Sequence, residues 1–306
     1  MRQILVILLT LVFALASFAQ PNPDTLWTRT YGGSARDVAW SVQQTADGGY
    51  IVAGGTVSFG AGDYDFYLVK TNSLGDPLWT RTYGGSSSDN AYSVQQTADG
   101  GYIVAGNTYS FGAGTPNLPN MYLVKTNSQG DTLWTRTYGG ISYDAACSVQ
   151  RTTDGGYMVA GRTYSFGAGS ADFYLVKTNS QGDTLWTRTY GRSSADVAYS
   201  VQQTADGGYI VAGSTWYSDP SYADFYVVKT GPDGLAIPSE MVILLQSGNA
   251  VLMWPPTGAP SYNIYGATEP FISGTFLDSV TDTTWTDDEI LSRPSPYFYY
   301  VTAVSP

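Results

Sequence analysis

Histidine is absent from the 306 residues, and cysteine occurs once, as Cys147. Without an imidazole the chain cannot assemble a Ser-His-Asp or Cys-His centre, and most zinc sites lose a usual ligand. One thiol builds neither a disulfide framework nor a paired-thiol redox motif. Positive charge is also scarce. Fourteen Lys and Arg face 25 Asp and Glu, a net of −11, and charged residues make up only 13% of the chain. Clustered cations are what grip a duplex or an anionic bilayer, so neither nucleic acid nor a membrane surface is expected as a partner. Nothing in the pattern asks for a cofactor or a metal.

The one long apolar stretch is at the start. Met1-Arg2-Gln3 leads into a mostly apolar run over 4–16, followed by Ser17-Phe18-Ala19. A positive end, a short apolar core and small residues at −3 and −1 make a secretory signal peptide over 1–19, cleaved after Ala19. The run is shorter than the ~20 residues a spanning helix needs, so no membrane insertion is expected after cleavage. The expected location is extracellular or at the cell surface.

What fills the rest is glycine, tyrosine and a repeat. Leu-Trp-Thr-Arg-Thr-Tyr-Gly begins at Leu26, Leu78, Leu133 and Leu185. Each occurrence is followed by Ser-Val-Gln, Asp-Gly-Gly-Tyr, Val-Ala-Gly and Tyr-(Leu/Val)-Val-Lys-Thr. A period of about 52 residues with several short strands in each copy points to propeller blades. In the first copy the expected strands are 39–45, 50–54, 66–71 and 78–83, ordered in that sequence from axis to rim. Asp47-Gly48-Gly49 and Asn72–Asp76 serve as hairpin turns.

The expected fold is therefore all-β: a four-bladed β-propeller over 20–235 plus a small β-sandwich over 236–306. The last copy has no Leu-Trp-Thr-Arg strand after it, and the first such strand precedes any complete blade. Pairing the two would close the ring and remove two exposed edges. An open array and a larger ring made from two chains remain as alternatives.

The motifs Trp-Thr-Arg-Thr-Tyr-Gly-Gly, Ser-Val-Gln-Gln-Thr-Ala-Asp-Gly-Gly-Tyr-Ile-Val-Ala-Gly and Tyr-Leu-Val-Lys-Thr-Asn resemble repeats of secreted bacterial β-propeller-like proteins. The resemblance covers roughly two-thirds of the chain and implies fold and export more than activity. Past the break at Gly231-Pro232-Asp233-Gly234, strands are expected over 241–246, 250–254, 261–266, 275–280, 283–286 and 297–304. This part resembles a fibronectin type III module. Trp254 falls where that family has its core Trp, and Leu291 with Tyr297 matches its tyrosine-corner spacing. The module's usual last strand is not in the sequence.

Three charged sets recur once per copy. Lys70, Lys125, Lys177 and Lys229 share one position, Arg29, Arg81, Arg136 and Arg188 a second, and Asp37, Asp89, Asp144 and Asp196 a third. Residues needed in every copy are expected to hold the copy together, by inter-strand pairing or by stacking Arg on Trp. Asp47, Asp99, Asp154 and Asp206 are read as turn formers alone. Asp65, Asp172 and Asp224 precede the third strand, with Asn120 in the second copy. Their spacing is too sparse for a calcium loop. Cys147 aligns with Trp40, Tyr92 and Tyr199 and is read as a buried small hydrophobe.

Binding is expected on the long loops that join second and third strands, because loops on a rigid scaffold carry function. The candidate residues are Phe59, Phe111 and Phe166, with Trp216, Tyr217 and Asp219 in the divergent fourth copy. Aromatic-plus-acid loops suit a glycan or a protein ligand. No catalytic residue stands out, so the sequence leads to a non-enzymatic, exported binding or adhesion protein. Two alternatives remain: a carbohydrate-active hydrolase using Asp pairs on the loop face, and an architectural surface component.

Overall fold

The computed structural model describes residues 25–113, 117–216 and 223–235. Beyond these it describes 242–246, 249–253, 261–267, 275–281, 284–287 and 298–304. Residues 1–19, Tyr217, Asp219, Trp254, Leu291 and Tyr297 lie outside the described residues, and so do the expectations placed on them.

The repeats fold as antiparallel sheets. The first holds β1 (Asp37–Gln44), β2 (Tyr50–Thr56), β3 (Asp65–Thr71) and β4 (Pro77–Tyr83), paired in chain order. The second holds β5 (Asp89–Gln96), β6 (Tyr102–Thr108), β7 (Asn120–Thr126) and β8 (Thr132–Tyr138). The third holds β9 (Asp144–Arg151), β10 (Tyr157–Thr163), β11 (Asp172–Thr178) and β12 (Thr184–Tyr190). The strands expected for the first copy are all present, each extended by one or two residues at one end, with the first ending one residue earlier.

Two local features explain the near-identity of the copies. The first strand of each sheet carries a bulge, at Trp40, Tyr92, Cys147 and Tyr199, where one residue has no partner on the second strand. Cys147 is thus the bulged residue of β9 and half-buried, and its burial pushes the thiol pKa up. The second feature is an ion pair at the first hairpin. Lys70 Nζ, almost wholly buried, donates to Asp47 Oδ2 at 2.8 Å and to the Thr71 carbonyl at 2.8 Å. Asp47 also accepts from Thr45 Oγ1 and from the Gly49 N–H. Lys125–Asp99, Lys177–Asp154 and Lys229–Asp206 repeat the pair. The turn-former reading of these aspartates was too narrow: each is also the counter-ion of a lysine.

Sheets pack face to face. The first presents Ile51, Ala53, Phe66 and Leu68 to Ala91, Val94, Tyr102, Val104, Tyr122 and Val124 of the second, and the pattern recurs at the next two joints. Burying each large apolar side chain contributes about 1.5–3 kcal/mol. The fourth strands also bridge joints. Trp79 stacks edge-on against Tyr102, Arg81 lies 5.9 Å over the Trp79 ring, and Tyr83 donates its hydroxyl proton to the Gly130 carbonyl at 2.6 Å. The structural reading of the Arg set holds here: Arg136 and Arg188 stack in the same way on Trp134 and Trp186.

Closure is where structure and sequence part. Among the described residues the fourth sheet holds β13 (Asp196–Gln203), β14 (Tyr209–Trp216) and β15 (Ala223–Thr230). The first Leu-Trp-Thr-Arg segment forms no strand and does not pair with β15. It lies on the first sheet instead, with Trp27 against Tyr50, Arg29 paired with Asp76, and Tyr31 donating to the Gly75 carbonyl. These are the contacts β4 makes to the second sheet, so the segment keeps its role at a joint while lacking a sheet of its own. The architecture is propeller-like, a series of repeated antiparallel sheets, without closure by that strand.

Among the described residues beyond 235, two three-stranded sheets follow. One has the order β16 (Val242–Gln246), β17 (Asn249–Met253), β20 (Thr284–Asp287). The other has β19 (Thr275–Val280), β18 (Ser261–Ala267), β21 (Phe298–Val304). All six strands fall within two residues of the expected bounds.

Candidate functional site

The loops after the second strands share one edge of the repeat array with the segments joining successive sheets. Carboxylates anchor them. Asp89, at the start of β5, accepts from the Gly85 N–H and from Ser110 Oγ, both at 2.8 Å, so it ties the sheet-to-sheet connection to the loop after β6. Asp37 makes the same ties to Gly33 and Ser58, with Thr56 Oγ1 donating to its other oxygen. Asp144 does so with Gly140, Ser165 and Thr163. This is the structural reading expected for the third charged set.

A second carboxylate meets the first at two joints. Asp65 Oδ2 accepts from the Ala61 N–H at 2.8 Å and the Gly62 N–H at 3.2 Å. Asp65 Oδ1 and Asp89 Oδ2 lie 2.1 and 2.6 Å from the point a Cβ on Gly84 would occupy. Asp172 and Asp196 flank Gly191 in the same way. Burial, with some repulsion from the neighbouring acid, pushes the Asp65 and Asp172 pKa values up. All four side chains are buried. The middle joint carries Asn120 instead, whose Oδ1 accepts from the Ala113 N–H at 3.1 Å. An acid whose folded pKa is raised costs stability once it ionises, and the cost is relieved as pH falls through that pKa. Asp65→Asn is therefore expected to raise the melting temperature by a few degrees at pH 7 and by less in acid, as read by calorimetry across pH.

The three phenylalanines of the sequence reading occupy equivalent places. Phe59, Phe111 and Phe166 stack on Tyr67, Tyr122 and Tyr174 at centroid distances of 5.6, 5.5 and 5.5 Å. Each ring also fills the space beside Gly33, Gly85 or Gly140. Their outer faces stay open, at 45–47% exposure, so each ring both plugs its loop and shows an aromatic face. Trp216 is not their counterpart. It ends β14 opposite Ala223, and its N–H donates to the Ala195 carbonyl as the Tyr164 N–H does to Tyr143. It therefore aligns with Val57, Tyr109 and Tyr164, half-buried at a strand end. The fourth copy has Arg192 where the others have the glycine under the Phe ring, which is consistent with Ser218 standing at the Phe position.

The sequence reading missed a polar groove of about 450 Å³ at the first joint, lined by Asp63, Ser87, Ser88, Asn90, Tyr109 and Asn117. Asn90 was legible as a departure from the repeat, because Val38, Ala145 and Val197 hold that position elsewhere. Among the described residues no helix is long and apolar enough to cross a membrane, and no three His, Cys, Asp or Glu side chains cluster to hold a metal ion.

No protein-family profile matches the chain. It is 27% identical over 175 residues to the regulatory protein FlaEY of Caulobacter vibrioides, a match covering 50% of this chain and 18% of that protein. Its structure is similar to that of an endo-1,5-alpha-L-arabinanase from Thermotoga petrophila, with a TM-score of 0.37 and 13% identity. That match covers 77% of this chain and 66% of the arabinanase. The chain thus spans less than two-thirds of either protein. The expectation of a non-enzymatic protein is corrected on this finding: a similar structure belongs to a hydrolase, so the exclusion of catalysis is withdrawn.

Proposed function

We propose that this chain is an exported, propeller-like repeat protein that binds a glycan on its loop edge. On this reading residues 1–19 direct export, residues 20–235 are the repeat scaffold, and residues 236–306 form a fibronectin type III-like module. The two three-stranded sheets support the last assignment, as does the Trp285 Nε1–H bond to Asp278 Oδ2, which joins β20 to β19 at 2.9 Å.

The observation that carries the reading is the groove at the first joint. It is lined by two serines, two asparagines, an aspartate and Tyr109. A sugar is recognised by that combination, with directional hydrogen bonds to its hydroxyls and an aromatic face for its C–H surface. Phe59, Phe111 and Phe166 give further exposed rings at one repeat spacing along the same edge.

The test uses residues the scaffold already accepts. Asn90→Val and Tyr109→Val install what the first copy carries at Val38 and Val57, so the fold tolerates both. A panel of soluble polysaccharides, 1,5-arabinan among them, is titrated calorimetrically. The double variant is expected to weaken binding at least tenfold, about 1.4 kcal/mol, with an unchanged melting temperature. Equal binding by variant and parent would sink the groove as the site. Reducing-end release in the same incubations reports whether turnover accompanies binding.

A further inference from the structure

The two ends of the repeat array are the unused halves of the joint that the chain builds three times within itself. At the first joint Phe66 of β3 inserts against Tyr122, ring centroids 5.2 Å apart, and its tip reaches the space above Gly106. At the third joint Phe173 does the same to Tyr226, at 4.9 Å, above Gly213. Both phenylalanines are fully buried, whereas Phe225, the same residue in the fourth sheet, is 96% exposed. Val227, in the place of the buried Leu68, is 58% exposed.

The first sheet shows the complementary vacancy. Val94, Val149 and Val201 are 2–6% exposed at their joints, while Val42 at the same repeat position is 66% exposed. Tyr67 and Gly54, the counterparts of Tyr122 and Gly106, line an open cavity of about 310 Å³ together with Val38, Val52 and Val69. At its rim the Trp27–Tyr31 segment already makes the cross-joint contacts of a fourth strand without belonging to a sheet. Among the described residues the fourth sheet is three-stranded.

We infer that the fourth sheet of one copy docks on the first sheet of a second copy, Phe225 entering the cavity at Tyr67 and Gly54. The second copy's residues 27–31 then lie along β15 as a fourth strand. The occupant is a second copy because the surface it must match is already matched three times inside the chain, residue for residue. Within one chain the two surfaces stay apart, with Phe225 exposed. The contact is head-to-tail, so each copy uses a different surface at each joint. Two copies joined at both ends make eight sheets, at the upper end of the usual propeller range.

Sedimentation equilibrium on the intact chain tests this. The unaltered protein is expected to run as a dimer. Phe225→Arg and Val42→Arg each place a charge in the docking surface at a residue exposed within its own chain, so each variant keeps the parental circular dichroism and melting temperature. Each alone is expected to raise the dissociation constant about a hundredfold. Mixing the two variants restores association, because the intact Phe225 of one meets the intact first sheet of the other. A monomeric parent protein overturns the inference, and so does an assembly that neither substitution weakens.

Discussion

Asp99→Ala is expected to destabilise the second repeat by about 3 kcal/mol, and Lys125→Met by much less. The Lys125 side chain is 5% exposed, and its ammonium has three acceptors: Asp99 Oδ1 at 3.2 Å, Asp99 Oδ2 at 2.9 Å and the Thr126 carbonyl at 2.8 Å. Removing the acid leaves a positive charge inside the sheet with one neutral acceptor. Stranding a buried charge costs about 3–5 kcal/mol, and the lower end applies because the Asp99 side is half open and water can follow. Removing the lysine leaves an exposed carboxylate that water solvates, while methionine keeps the buried stem. The double variant Asp99→Ala/Lys125→Met should recover most of the loss, and urea unfolding of the three proteins gives the coupling directly. The pair is also a source of acid sensitivity. The Lys70 ammonium, with help from Thr45 and the Gly49 N–H, holds the Asp47 carboxyl down to about 2 from 3.8. A depressed acid contributes stability above its unfolded pKa and loses it as pH falls through the folded one, so this contribution fades between about pH 4 and pH 2. Equal destabilisation by the two single substitutions would show that the charge is not what the sheet protects.

The strands were legible because their signals are local. The Gly48–Gly49 and Gly75 turns, the inner Tyr50–Ala53 run and the alternating Trp79, Arg81 and Tyr83 each fix an element within a few residues. What escaped notice joins elements distant in sequence. Lys70 on β3 and Asp47 in the β1–β2 turn are 23 residues apart, and only the register of β2 on β3 brings the ammonium over the turn. Closure escaped for a different reason: it depends on the angle summed over all joints, which no single repeat records. Repeat counting supplied a strand for the vacancy at β15, but nothing local told which sheet Trp27 would touch. At the candidate site the Phe residues were visible because they recur. The groove was missed because Asn90 matters where it differs from the repeat, with Val38, Ala145 and Val197 at its position in the other copies.

Gly106→Ala should be among the costliest single methyl groups added to the array, upwards of about 4 kcal/mol. Gly106 lies in the middle of β6, where all seven residues are buried. It pairs with Ala91 beside the bulge at Tyr92. The bulge swings the Asn90 carbonyl toward β6, and a Cβ on Gly106 would stand 1.8 Å from that oxygen. It would also stand 2.9 Å from the tip of Phe66, the ring that fills the first joint. The carbonyl belongs to the strand pairing and the ring to the sheet packing, so relief of the clash must break one or the other. Overpacking in a core that can adjust costs about 1–3 kcal/mol, and this position has backbone on one side. Gly48→Ala gives the contrast. An added Cβ there meets nothing within 4 Å, and the penalty is only that of a left-handed residue at φ 80°, about 1–2 kcal/mol. Denaturant unfolding of the two variants separates crowding from backbone conformation. If Gly106→Ala cost no more than Gly48→Ala, the glycine opposite each bulge would not be there to admit the carbonyl. The identity of Gly54, Gly106, Gly161 and Gly213 across the copies would then need another cause.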